Sequence, residues 1–385
     1  MAPAKLPSEL EEEILIRVPP LSLARFRTVC KPWAMLLNDN RFINNHLALA
    51  RACPQFIFAT KSKIYSISIN FDDDPKTKVC KINLEIPGLE SYIDPNFYHC
   101  DGLLLSTWRN GAVVWNPWLR QSKWIESKVK ISGLCGIGYD SSRSEKSYKI
   151  VGYSHFWRND HSGVYGRVVI YGFATNTWKY IGPRYKVDFI TKQPILYNVS
   201  LNGNLYWTDY NLDTGECFIR SLDCSKEIFK SFCILPCKKK DSSHSHALAG
   251  FNGDRFSLLE QCDSTRKIEI WVTKNKINIE DDGEAVVWIK FMNVSRPNFP
   301  MLYNRRDIGS CSSYLVDDSI YGKSFVACCR DETRQPCIYV VRGDLFKKIK
   351  LYYVVDPFCH SVYIPSLIPI PWMSSDQENN KNIEV

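Results

Sequence analysis

The sequence predicts an α+β multidomain protein. A short helical module of residues 1–50 precedes an all-β domain of residues 54–372, which is a roughly six-bladed β-propeller. Three observations support this fold class. Apolar residues recur at helical spacing only in the first fifty residues, short alternating runs bounded by Gly, Asn and Asp fill the remainder, and a strand-rich pattern repeats at intervals of about fifty residues.

Composition and charge narrow the classes of protein to consider. The 385 residues are 45% hydrophobic, 23% charged and 13% aromatic, and this aromatic content favours β structure. The net charge of +8 is scattered, and we interpret the lysine run at residues 238–240 as a solvated loop, so we expect no nucleic-acid partner. No stretch reaches the ~20 apolar residues of a membrane span. The fifteen cysteines lack regular spacing, so we expect reduced thiols in the cytoplasm and/or nucleus.

The helical module begins with an acidic helix. Ser8 followed by Glu11 is a capping-box pattern, and Leu10, Ile14 and Val18 then line one face at helical spacing. The proline pair at residues 19–20 ends this helix, because proline is poorly tolerated in a helix interior.

Two or three more short helices follow. The second is expected near Ser22, with Leu23 and Phe26 on its apolar face, and the third begins at Pro32. Helical register then continues to about Ala50. Segments of this size usually fold only with a metal, disulfides or a partner, and these helices carry more apolar side chains than they can bury among themselves. A separate protein that covers them is one interpretation, and a first helical layer of a larger domain is the alternative.

The stretch LPSELEEEILIRVPPLSLARFRTVCKPW, residues 6–33, resembles an F-box. The resemblance implies a three-helix module that docks on the Skp-type adaptor of a cullin-based (SCF) ubiquitin ligase, with the cullin and the RING protein reached indirectly. It also implies the adaptor-binding residues, which are Leu6, Pro7, Leu10, Ile14, Leu15, Val18, Pro19, Leu23, Val29 and Trp33.

The remainder of the chain predicts propeller blades. Trp124, Trp178 and Phe229 recur at intervals of about fifty residues, each after a turn and two or three strand-like runs. A unit of this kind cannot bury both faces alone, so neighbouring units stack radially. We expect about six units, with a closing blade that mixes N- and C-terminal strands, while a pair of β-sandwiches stays the alternative. The polar residues 373–385 predict a disordered tail.

This remainder also resembles a known family region. VWNPWLRQSKWI at residues 114–125 and GIGYDSSRSEKSYKIV at residues 136–151 resemble signatures of the F-box-associated domain, type 1, of plant F-box proteins. That family is sometimes grouped with kelch-repeat proteins. No Gly-Gly pair occurs in this chain, so we do not interpret its repeats as kelch repeats.

The sequence indicates no catalytic residue, cofactor or metal. Phosphate loops, dinucleotide fingerprints, metalloprotease motifs and nucleophile elbows are all missing from it. Cys233, Cys237, His244 and His246 have the spacing Cys-x₃-Cys-x₆-His-x-His, but structural zinc motifs usually space their second pair more widely. We therefore interpret these four as strand and loop residues and predict no metal site.

The expected function is that of a substrate receptor, in which the helices bind the ligase and the β-domain captures an unknown target protein. Aromatic and Arg side chains in loop-like stretches are candidate target-binding residues: Trp108, Arg109, Phe156, Trp157 and Arg158. Two alternatives stay open. One is an adaptor-bound scaffold that acts outside the ligase, and the other is a propeller that binds a glycan or small molecule, which only the aromatic richness supports.

Overall fold

The structure is a computed structural model. It describes residues 6–51, 54–60, 64–70, 76–82, 97–108, 111–143, 145–157, 164–186, 198–211, 213–237, 244–278, 283–296, 299–302, 312–318, 322–352 and 358–371. The predicted disordered tail at residues 373–385 lies outside these ranges. Within them, no helix has both the length and the apolar character needed to cross a membrane.

The N-terminal segment forms four short helices, as the apolar spacing predicts. They are α1 (Ser8–Leu15), α2 (Pro20–Phe26), α3 (Lys31–Leu36) and α4 (Asn40–Ala50). The predicted capping box at Ser8 is wrong, because Pro7 occupies the N-cap position and makes no side-chain cap. The second helix begins at Pro20 rather than Ser22, since a proline suits the first helical turn. A side-chain cap is found at α4, where the Asp39 carboxylate accepts a hydrogen bond from Phe42 N at 3.0 Å.

All described strands beyond α4 belong to four-stranded antiparallel blades. The first blade begins with β1 (Gln55–Thr60), β2 (Ile64–Asn70) and β3 (Lys76–Ile82). The second blade contains β4 (Tyr98–Cys100), β5 (Leu103–Trp108), β6 (Gly111–Asn116) and β7 (Gln121–Glu126). The third contains β8 (Gly133–Asp140), β9 (Ser147–Trp157), β10 (Val164–Gly172) and β11 (Thr177–Lys186).

The remaining blades have the same plan. The fourth contains β12 (Val199–Leu201), β13 (Asn204–Tyr210), β14 (Cys217–Asp223) and β15 (Ile228–Ile234). The fifth contains β16 (His244–Phe251), β17 (Arg255–Cys262), β18 (Ile268–Thr273) and β19 (Trp288–Val294). The sixth contains β20 (Ser313–Asp317), β21 (Ser324–Arg330), β22 (Pro336–Arg342) and β23 (Leu345–Lys350). Six blades confirm the propeller prediction and contradict the paired-sandwich alternative.

The recurring Asx-Gly pairs of the sequence form the turns between the first two strands of three blades. Asp101, Asn202 and Asn252 have φ values of 52°, 50° and 49°, and each is followed by a glycine with φ between 78° and 85°. Two successive positive φ values are those of a type I′ turn, in which Asn, Asp and Gly are preferred. The turn residues therefore predict where a blade begins.

The last strand closes the ring. β24 (Phe358–Tyr363) pairs antiparallel with β1, and Phe56 lies opposite Val362. The segment after β24 then continues to the second blade, where Asn116 Nδ2 donates hydrogen bonds to Ser366 O at 3.1 Å and Ile368 O at 2.8 Å. The predicted closing blade of mixed N- and C-terminal strands is confirmed.

Candidate functional site

The helices bury apolar side chains in a hydrophobic core that continues into the propeller, and this burial determines the orientation of each helix. Leu15 and Leu23 are 3% and 0% exposed, and Leu37, Phe42 and Leu47 are also buried. Burial of such side chains stabilises the fold by about 1.5–3 kcal/mol each. Because Leu15 points inward, the opposite side of α1 faces away from this core.

Six large apolar side chains of the module are exposed. Five of them lie between Leu6 and Met35, and we call these five the docking face, while the sixth is Leu49 on α4. The exposed fractions are 43% for Leu6, 47% for Leu10, 57% for Ile14, 62% for Val29 and 75% for Met35. Leu10 and Ile14 lie one turn apart on α1, so they are neighbours on one side of the helix. Single exposed apolar residues are ordinary, but five of them in one small module are typical of an interaction surface.

Polar contacts hold α1 against the helices that follow it. The Trp33 indole Nε1 of α3 donates a hydrogen bond to Glu11 Oε2 at 3.2 Å, and its ring lies 5.4 Å from the Phe26 ring. Arg41 Nη2 of α4 pairs with Glu12 Oε2 at 2.8 Å. The two glutamates thus orient α1 so that its apolar side stays exposed.

Comparison with known proteins identifies the family. Residues 4–45 match the F-box domain, and residues 55–370 match the F-box associated beta propeller domain. The chain belongs to the F-box proteins that carry this propeller domain. In Arabidopsis thaliana, F-box protein At3g17710 is 45% identical over 382 residues, which cover 97% of this chain and 99% of the relative. Protein SUPPRESSOR OF NIM1 1, from the same plant, is 42% identical over 378 residues, which cover 95% of this chain and 98% of the relative.

The residues predicted to bind an adaptor divide into three groups in the F-box. Six are exposed, two are half-buried and two are buried. The exposed residues are Leu6, Pro7, Leu10, Ile14, Pro19 and Val29, and the half-buried residues are Val18 and Trp33. The exposed group includes four of the five docking-face residues, so it is the part of the prediction that an adaptor could contact directly.

Leu15 and Leu23 are the buried members of the predicted set, and their role in adaptor binding stays a prediction. Both belong to the hydrophobic core that they share with Phe42 and Leu47. Helical spacing placed Leu15 beside Ile14 on one broad apolar face, but adjacent helical residues point in directions about 100° apart. Only one of the two can face outward, and in the structure Ile14 is exposed while Leu15 is buried.

Met35 is the docking-face residue that sequence reasoning missed. It lies on α3 and is 75% exposed, the largest exposure among the five. Methionine is flexible and polarizable, and such side chains suit adaptable binding surfaces. Its position two residues after Trp33 could have indicated it, because neighbouring helical residues face different sides.

A buried carboxylate links the helical module to the propeller, in addition to the hydrophobic core that the two share. Arg51 Nη2, directly after α4, lies 2.7 Å from Asp101 Oδ1 in the second blade, and Lys146 Nζ of the third blade lies 2.6 Å from Asp101 Oδ2. Burial alone raises the pKa of Asp101, but the charges of Lys146 and Arg51 outweigh burial and hold it below its usual value. The ionised carboxylate therefore links the F-box to two blades.

The predicted target-binding residues lie at strand ends where the structure describes them. Trp108 is the last residue of β5, and Phe156 and Trp157 end β9, so the expectation of loop positions is wrong for these three. The half-buried Phe156 ring stacks 6.3 Å from Tyr165. Arg109 and Arg158 lie outside the described residues. A role of these five residues in target binding stays a prediction.

The four residues of the Cys-x₃-Cys-x₆-His-x-His pattern do not all come together in the structure. Among the described residues, one set of three potential ligands converges, and it consists of Cys217, Cys237 and His246. Cys233 and His244 are not part of it. The sequence pattern thus contained two of the three residues but missed Cys217, which lies on another strand.

Proposed function

We propose that this F-box protein is the substrate receptor of an SCF-type ubiquitin ligase. The F-box would bind a Skp-type adaptor, and the propeller would hold a target protein whose identity is unknown. The observation that carries the proposal is the docking face, in which five large apolar side chains stay exposed although the apolar side chains of the core are already buried. The five are Leu6, Leu10, Ile14, Val29 and Met35. The family membership of the chain supports the same assignment.

The physical argument is that these side chains gain by burial against another protein. A standard interface buries about 800 Å² on each partner, and apolar surface contributes roughly 25 cal/mol per Å². The core residues Leu15, Leu23 and Leu37 hold the helices in place before binding. A preformed surface loses little conformational entropy when it binds, and this favours affinity.

The proposed mechanism is proximity. The ligase carries an activated ubiquitin, and the receptor holds the target lysine beside it, which raises the effective concentration of the two reactants. We propose that no residue of this chain performs covalent chemistry and that it acts in the cytoplasm and/or nucleus, where such a ligase would meet its target. The cullin and the RING protein would be reached only through the adaptor.

The direct test uses a double variant of the docking face. Leu10→Ser with Ile14→Ser removes two side chains that are about half exposed, so the fold should tolerate both changes. We expect adaptor affinity to fall at least tenfold, measured by calorimetry with a purified Skp-type adaptor and the full chain. Leu49→Ser is the matched control, because Leu49 on α4 is 50% exposed yet is not part of the docking face.

The result separates the proposal from its alternatives. Equal affinities for wild type, double variant and control would contradict the docking face. Adaptor binding without recruitment of the cullin or turnover of any target would instead favour the scaffold outside the ligase. Failure of the wild-type chain to bind the adaptor would leave a propeller that binds a glycan or small molecule.

A further inference from the structure

Three side chains able to ligate a metal meet where the fourth and fifth blades adjoin, and a carboxylate lies beside one of them. Cys217 is the first residue of β14, Cys237 lies three residues after β15, and His246 is the third residue of β16. One ligand atom from each of these three lies within 4.8 Å of the other two. Glu260 on β17 is the ladder partner of His246, and its Oε1 lies 3.5 Å from His246 Nε2.

Two buried polar atoms of this cluster lack the hydrogen bonds that burial normally requires. Among the described residues, no hydrogen-bond partner meets His246 Nε2 or Glu260 Oε1, although neither atom is accessible to solvent. The Glu260 side chain is only 7% exposed. The two atoms lie 3.5 Å from each other, and this contact is an ion pair only when the His246 imidazole is protonated. With a neutral imidazole the buried carboxylate would need a cation, because a buried carboxylate is costly unless it is paired or coordinates one.

The two thiols are close enough to act together on one ion, since their ligand atoms lie within 4.8 Å of each other and of the His246 ligand atom. A divalent cation binds thiols in their deprotonated form.

We propose that Cys217, Cys237 and His246 bind one Zn²⁺-class ion, with the Glu260 carboxylate as the fourth ligand. Two thiolates, an imidazole and a carboxylate belong to the usual ligands of zinc. Tetrahedral zinc, with bonds of about 2.3 Å to sulfur and 2.0 Å to nitrogen, places its ligand atoms roughly 3.5 Å apart. The ligand atoms of Cys217, Cys237 and His246 therefore need to contract by about 1 Å, which is small for Cys237 because it lies beyond the end of its strand. Glu260 is outside this group, so its side chain must also turn toward the ion.

The surroundings indicate a structural ion rather than a catalytic one. Cys217 and Cys237 belong to an apolar cluster that includes Leu235, Phe256 and Leu258. With four protein ligands the shell is closed, and no position is left for water or a substrate. The ion would connect the fourth blade to the fifth through β14 and β16.

The test uses cobalt as a spectroscopic probe on the tag-free full chain. After treatment with a chelator and a thiol-free reductant, the chain is titrated with Co²⁺ alone and then with Zn²⁺. We expect one equivalent of Co²⁺ to produce thiolate-to-metal charge-transfer bands and intense tetrahedral d–d bands, which Zn²⁺ then abolishes. Cys237→Ser and His246→Gln should each weaken Co²⁺ binding at least tenfold, and Glu260→Gln should weaken it less.

Matched controls come from the neighbouring residues of the same type. Cys233→Ser and His244→Gln lie outside the cluster and should keep wild-type Co²⁺ affinity. An ordinary hexahydrate-like Co²⁺ spectrum, or equal affinity for Cys237→Ser and Cys233→Ser, would overturn the proposal. Intact mass showing a Cys217–Cys237 disulfide in the unreduced wild-type chain would overturn it as well.

A second measurement needs no variant. The thermal midpoint of the wild-type chain should rise on addition of Zn²⁺ and fall on addition of a chelator, because an ion that binds only the folded state stabilises it. A midpoint that is identical under both conditions would contradict a bound ion. This readout remains decisive even if a cysteine variant fails to fold.

Discussion

At the scale of single residues, Asp101 is the buried carboxylate between the helical module and the propeller that forms two ion pairs. Its carboxylate is 6% exposed and meets two cations, Arg51 and Lys146, which are 24% and 28% exposed. The Tyr148 hydroxyl donates a further hydrogen bond to it at 3.3 Å. Its backbone φ of 52° adds a second constraint, because few residue types other than Gly, Asn and Asp adopt this region.

Asp101→Asn therefore isolates the charge from the backbone. Asparagine tolerates the same positive φ, so the turn should survive while Arg51 and Lys146 lose their counter-charge. We expect the free energy of unfolding at neutral pH to fall by roughly 2–4 kcal/mol, below the full cost of breaking a fully buried pair because both cations are partly solvated. Urea unfolding measures it. Asn252→Gly, at the corresponding turn of the fifth blade, is a control that tolerates the positive φ. It removes only the exposed hydrogen bond from Asn252 Nδ2 to Asp318 Oδ1 and should change stability little.

The lowered pKa of Asp101 also predicts a pH dependence. The charges of Lys146 and Arg51 hold the pKa below its ordinary value of 3.8 against the opposing effect of burial. The ionised group thus stabilises the fold fully above about pH 4, and this contribution is lost as the pH falls through the lowered pKa. Urea midpoints measured from pH 6 to pH 3 should decline less steeply for Asp101→Asn than for wild type. Parallel declines would contradict this assignment.

The residue scale is also where sequence reasoning was least complete. Helical spacing identified the apolar residues of α1, but it could not separate Ile14, which is exposed, from Leu15, which is buried, because both fit a broad apolar face. Their orientation depends on contacts with Phe42 and Leu47, which are distant in sequence. Cys217 was missed beside Cys237 for the same reason, since pairing between strands, rather than sequence spacing, brings them together.

At the scale of elements, the F-box helices are a preformed support for the docking face. Leu23 on α2 is fully buried, whereas Leu10 on α1 is 47% exposed. A leucine therefore stabilises the core in α2. Under the proposed function, a leucine in α1 binds the adaptor. The two roles are separable by experiment.

Leu23→Ala should destabilise the F-box by about 2–5 kcal/mol, because it removes buried methyl groups and leaves a cavity. Leu10→Ala should change the free energy of unfolding by less than about 1 kcal/mol, since the site is half solvated. Hydrogen exchange of the helix amides, followed by mass spectrometry of the full chain, distinguishes the two. Equal protection of α2 in both variants would show that Leu23 is not a core residue.

The blades were more predictable than the helix faces. Turn chemistry indicated where blades begin, as at Asn202 and Asn252, because positive φ restricts the residue type locally. Trp124, Trp178 and Phe229 each occupy the fourth strand of a blade, which explains their regular interval. The first blade takes its first strand, β24, from the C-terminus. No turn therefore marks where that blade begins, because its pairing joins distant parts of the chain.

At the scale of the whole molecule, ring closure makes the two ends of the propeller interdependent. Without β24, the strand β1 would keep β2 as a neighbour but lose the second ladder, which runs from Gln55 to Thr60. The Asn116 amide would lose the two carbonyls of residues 366 and 368 that it binds. The Tyr363 hydroxyl also donates to Gly102 O at 2.9 Å, so the closing segment contacts the second blade as well as the first.

Removal of residues 353–385 should therefore prevent folding of the propeller rather than merely trim it. The truncated chain would expose an unpaired edge at β1 and leave buried polar groups unsatisfied, which favours aggregation. We expect it to be recovered as aggregates, whereas removal of only residues 373–385, which we propose to be a tail outside the domain of residues 54–372, should leave the unfolding midpoint unchanged. Size-exclusion chromatography and thermal unfolding compare the two truncations. A monomeric product of the longer deletion with a wild-type midpoint would mean that β24 does not close the ring.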